Sequence, residues 1–150
     1  MVDRQDVQNL FDNIQEQDLN ECMAVSGIKN KESLVDAEYN MINTFDYSQT
    51  FYKNNKLLAI VGYKKMFMDK KKFLFLFALT TKEIKHNHMT YYKEAVKFIN
   101  RAKKEGLDLL FCTIDTYKES LNMIKRLGFK FYNTITINNK SFEISVLGVN

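Results

Sequence analysis

Proline is absent from the 150 residues, and cysteine and histidine occur only twice each. The missing proline, with heavy use of Lys, Asn and Ile, marks an AT-rich coding sequence and not a physical constraint. Cys22 lies in a helical pattern and Cys112 in a strand pattern, with no CxxC spacing, so both read as buried thiols of a reducing compartment. His86 and His88 stand two apart. A zinc site would need one or two further donors, and no Cys or His remains to supply them, so no metal is expected. The literal His86-Asn87-His88 tripeptide says nothing of a nuclease, because that name refers to residues dispersed through a longer motif. Both histidines also fall past the end of a strand neighbouring Cys112, so a Cys-His nucleophile is not expected. Arginine is scarce, with only Arg4, Arg101 and Arg126, and the net charge of +4 is spread over lysines along the chain. Lys70-Lys71-Lys72 reads as a solvated loop between strands, and nucleic acid is not an expected partner.

Long apolar runs are lacking too. No stretch approaches the roughly 18 residues of a membrane span, and Met1 to Asp6 holds no apolar signal core. A cytosolic protein with no membrane partner is expected. What is present is a sizeable core: 45% hydrophobic and 13% aromatic content argues against disorder and for one domain over residues 1–150.

The most informative stretch runs from Phe73 to Phe129. Phe73 to Leu79 is an apolar run of strand length, as a central strand buried on both faces requires. Tyr92, Ala95, Val96, Ile99 and Ala102 then recur at helical spacing, with Gly106 as a stop. Leu109 to Ile114 is a second apolar run. Ser120, Leu121, Ile124 and Leu127 make a short amphipathic helix closed by Gly128. Two strands with an intervening helix form a βαβ unit with parallel strands.

Upstream, Val7, Leu10, Phe11 and Ile14, then Leu19, Cys22 and Met23, predict one or two short helices with Asp6 or Asp18 as caps. A further helix is predicted from Lys31, capped by Asn30. Thr50 to Lys53 and Lys56 to Tyr63 predict a hairpin around Asn54-Asn55, with Lys64 to Lys72 as a connection. Phe51, Tyr52, Tyr63, Phe67, Phe73, Phe75 and Phe77 read as core and cross-strand packing and not as a base-stacking platform. The chain closes in a second hairpin joined at Asn138-Asn139. A mixed, mostly antiparallel sheet with a central parallel strand pair and flanking helices accounts for the whole order.

That order resembles the GCN5-related N-acetyltransferase (GNAT) fold, and Ile124-Lys125-Arg126-Leu127-Gly128-Phe129 looks like the family's close of its last helix. Four further features are similar to the short GNAT-like proteins of podovirus-type tailed phages, the family that includes the T7-type internal virion protein A. They are Asp18 with Glu21-Cys22-Met23-Ala24-Val25-Ser26-Gly27, then Ser48, then Ala59-Ile60-Val61-Gly62, then Lys125 to Phe129. The resemblance implies an α/β GNAT-like domain serving in a virion or its assembly, in the host cytoplasm, with a phage or host protein as partner.

It also implies where CoA would sit. Active GNAT enzymes grip the CoA diphosphate with a glycine-bearing loop at a helix N-terminus. That loop falls on Lys85 to Tyr91, which contains no glycine. The corresponding cofactor-binding positions are Leu79, Thr80, Lys85, Asn87, His88 and Met89. The family's two late catalytic positions fall on Tyr117 and Ile124, and Ile124 cannot supply a proton. The central strand is uniformly apolar and Glu83 lies beyond its end, leaving no obvious general base. No catalytic residue is assigned, and no cofactor is expected. The alternative is an N-acetyltransferase that binds acetyl-CoA with an unusual grip.

Overall fold

The computed structural model describes residues 1–149. Three helices come first: α1 (Arg4–Asp12), α2 (Glu16–Ser26) and α3 (Lys31–Ile42). The cap of α1 is Asp3, not Asp6. Asp6 instead closes a capping box by accepting the Asp3 backbone N–H, each side chain satisfying a donor of the other residue. Helix α2 has Gln15 at its N-cap with no side-chain cap bond, because Asp18 turns inward to the sheet. Asn30 caps α3 as expected, accepting from the Glu32 and Ser33 amides.

Strands β1 (Tyr47–Lys53) and β2 (Lys56–Met68) meet at Asn54-Asn55, both with positive φ. Residues 64–72 are not the connection that their polarity suggested. β2 runs on to Met68, turns at Asp69-Lys70 and pairs with β3 (Lys71–Thr80) over its whole length. Phe67 stands on this hairpin arm 74% exposed, so it is no core residue, and Tyr52 is also exposed. A short 3-10 turn (Lys82–His86) leads into α4 (His88–Lys103), followed by β4 (Leu109–Ile114), α5 (Lys118–Arg126), β5 (Lys130–Ile137) and β6 (Lys140–Leu147).

The six strands form one sheet in the order β1-β2-β3-β4-β6-β5, antiparallel except for the β3–β4 pair. Alternation along β3 sends Leu74 and Leu76 to one face and Phe77 and Leu79 to the other. On the first face Phe98, Ile99 and Ala102 of α4 pack with Ile124 of α5; on the second lie Leu10 and Phe11 of α1 with Leu34 and Val35 of α3. The end of α5 is closed as predicted, with Gly128 at φ 101° and the Phe129 amide donating to the Ile124 carbonyl. No helix among the described residues is long and apolar enough to cross a membrane.

Candidate functional site

Between β3 and β4 the sheet splits. The two strands pair only at Leu74 with Leu109 and Phe75 with Leu110, and beyond these β4 pairs with β6 alone. The far halves of β3 and β4 therefore carry backbone groups that need partners from elsewhere. Helix α2 supplies a partner at the end of each strand. Asp18 and Glu21, three residues apart, lie on one helix face, so one carboxylate reaches each strand. Asp18 accepts the Thr80 amide at 2.7 Å and the Thr80 hydroxyl, and Gln15 donates to that same hydroxyl at 2.6 Å. Glu21 accepts the Thr113 hydroxyl at 2.5 Å and the Ile114 amide at 3.0 Å. Gln17 donates to Ser120 at 3.0 Å, tying α2 to α5.

This clasp is acidic and dry. Burial pushes the Asp18 carboxyl up to about 7, against the hydrogen bonds from Thr80, and burial likewise raises Glu21. Glu38 on α3 is buried beside the Cys22 thiol with its Oε2 unpartnered, and burial raises it to about 7 as well. Burial also raises both thiols, which disfavours the thiolate form. A carboxyl titrating near 7 has the proton affinity of a general base, but geometry comes first. Asp18 is only 7% exposed and is held by Thr80.

The predicted CoA positions are brought together around the start of α4. Leu79 is buried under α1 and α3, and Thr80 is spent on α2. Lys85 and His86 are exposed on the 3-10 turn. Asn87 stands at the N-cap position of α4 but does not cap it; its side chain turns back to donate to the Glu83 carbonyl at 2.8 Å. His88, Met89 and Thr90 open the helix, and the first helical bond runs from the Tyr91 amide to the Asn87 carbonyl. Their three N–H groups are without a partner among the described residues, as an anion-binding helix start requires. The side chains of His88 and Met89 are exposed around those groups. The residues fit a diphosphate in part, through the free N–H groups; at the end of the split the Thr80 amide is already taken by Asp18. Of the two late family positions, Tyr117 is the N-cap of α5 and Ile124 is buried within it.

Sequence reasoning missed the roles of Asp18 and Glu21. The available signal was a pair of carboxylates at helical spacing on the same side as buried Cys22, where an apolar face would be expected.

No family model and no curated protein matches the sequence. Solved structures do. A GNAT-family acetyltransferase from Bacillus anthracis superposes with a TM-score of 0.70 at 11% identity, covering 98% of this chain and 91% of that one. The fold is the GNAT fold. The Salmonella typhimurium protein yncA, solved with its cofactor acetyl-CoA, matches at 0.67 and 11% identity over 99% of this chain and 91% of its own. The ribosomal-protein-S18-alanine N-acetyltransferase of Escherichia coli gives 0.66 and 10% identity over 99% and 90%. At such identities the likeness carries the GNAT architecture and not the activity.

Proposed function

We propose that this chain is a phage-encoded protein that uses the GNAT scaffold for binding instead of acetyl transfer, in a virion- or assembly-associated role, with a phage or host protein as partner in the host cytoplasm. The observation that supports the non-catalytic reading most is the α2 clasp: Asp18 and Glu21 take the amides at the ends of the two split strands, Thr80 and Ile114. The glycine-free loop from Lys85 to Tyr91 and the apolar Ile124 support the same reading. The phage assignment rests on the order and spacing of the short motifs from Asp18 to Phe129.

Acyl-CoA-dependent N-acetyl transfer is the second reading, favoured by the three free N–H groups at the start of α4 and by the split itself. Isothermal titration of acetyl-CoA at moderate salt, with Lys85→Ala alongside, separates the two. The non-catalytic reading expects no heat and no thermal stabilisation at millimolar ligand. Micromolar affinity weakened by Lys85→Ala would overturn it.

A further inference from the structure

A second concave site lies away from the strand split, where the C-terminal half of α4 passes β2. It is a groove of about 410 Å³ lined by Tyr63, Lys97, Asn100, Arg101, Lys104 and Glu105. Lys97, Asn100 and Arg101 of α4 and Lys104 at its C-cap sit at i, i+3, i+4 and i+7, one face of the helix, so their side chains converge on one strip. Arg101 is separated from the helix start at His88 by about 20 Å of helix, at 1.5 Å per residue.

The charges in this groove are unequally matched. Lys97 pairs with Glu94 at 3.2 Å, and Glu105 is engaged by Lys65 from β2 at 3.7 Å. Arg101 and Lys104 make no ion pair among the described residues. Arg101 is nonetheless held in place: its guanidinium lies over the Tyr47 ring at 4.0 Å, and Tyr47 is itself stacked on Tyr63 at 5.3 Å, with Phe98 behind both. Stacking uses the guanidinium face and not its N–H edge, the edge that grips a phosphate through two bonds, and part of that edge faces Tyr63. Tyr63 lines the groove beside Arg101 and Glu105, and Asn100 adds a neutral donor.

We infer that this groove is a binding site for a polyphosphate group, with Arg101 as the fixed anchor and Lys97 and Lys104 as flanking point charges. A single carboxylate would need one cation. A row of cations spaced along two helical turns suits two or more linked phosphates, and the volume leaves room for an attached organic group. The chain would meet such a group either as free polyphosphate or on a nucleoside di- or triphosphate.

The test is titration of the full chain with sodium tripolyphosphate and, separately, with ADP. Both probes are expected to bind, more weakly as salt rises. Arg101→Leu should weaken binding about ten- to hundredfold, the range of a lost charge-assisted hydrogen bond, whereas Lys140→Ala, which removes equal charge from the distant β5–β6 turn, should leave it within about twofold. Glu105→Gln should tighten it. ADP binding more tightly than tripolyphosphate assigns the groove to a nucleotide, and the reverse assigns it to the phosphate chain alone. Absence of binding by either probe at millimolar concentration overturns the site, as does equal weakening by Arg101→Leu and Lys140→Ala. A melting curve of Arg101→Leu separates lost binding from lost folding, and the conservative Arg101→Lys should recover part of the affinity if charge alone suffices.

Discussion

Asp18 is a buried acid whose desolvation outweighs two hydrogen bonds, and that ordering sets how the fold responds to pH. The folded-state value is about 7, above the usual 3.8, and Glu38 behaves alike from 4.5. Between about pH 4 and 7 the folded chain therefore keeps protons that the unfolded chain has released. The stabilisation is complete below the unfolded value and is lost as pH rises through the folded one. Asp18→Asn, neutral at every pH and able to accept the Thr80 amide, should flatten the fall in melting temperature between about pH 5 and pH 8. An unchanged slope would sink this account. Asp18→Ala should instead cost about 1–3 kcal/mol at either pH by stranding the Thr80 amide. A second residue-scale test concerns Gly62, where a Cβ would lie 2.6 Å from the Tyr47 carbonyl oxygen and 2.8 Å from the Phe45 ring. Gly62→Ala should cost about 1–3 kcal/mol, as overpacking against backbone does; a loss below about 0.5 kcal/mol in urea unfolding would show that β1 gives way easily.

At the scale of elements, the central strands and both Asn-Asn hairpins were legible because apolar runs and turn chemistry are written locally. Phe73 to Leu79 is apolar at every position, and Asn54-Asn55 and Asn138-Asn139 supply the positive φ that a tight turn needs. The β2–β3 hairpin was not legible, for the same local reason. Its turn is Asp69-Lys70, and Lys70, at φ 63°, carries none of the usual turn signal. The strand arms there lie past the core, with Met66 and Phe67 exposed, so burial imposes no alternation on them. Lysine in a left-handed conformation costs about 1 kcal/mol. Lys70→Gly should therefore raise the melting temperature by about 2–4 °C, and no rise in a calorimetric scan would mean that the turn strain is already relieved elsewhere.

Across the whole molecule, the split sheet depends on pairing between residues far apart in sequence. That explains why the fold was readable and the α2 clasp was not. A βαβ unit announces its parallel strands within about forty residues, whereas Asp18 meets Thr80 and Glu21 meets Ile114 across separations of 62 and 93. The spacing of Asp18 and Glu21 beside Cys22 marks them for burial but names no strand so distant, and the same Asp18 looks like a helix cap when read alone. If α2 docks as one rigid clasp, releasing one strand should loosen the other. Glu21→Ala strands the Thr113 hydroxyl and the Ile114 amide, and should cost about 2 kcal/mol. Hydrogen exchange should then show the Thr80 and Ile114 amides losing protection together, because helices open as cooperative units. Were only Ile114 to respond, α2 would be making two separate contacts and the split would be free to open on the β4 side alone. That outcome would return the acetyl-CoA reading to favour, since a split that opens beside the free N–H groups of α4 has the two features an acyl-CoA site needs.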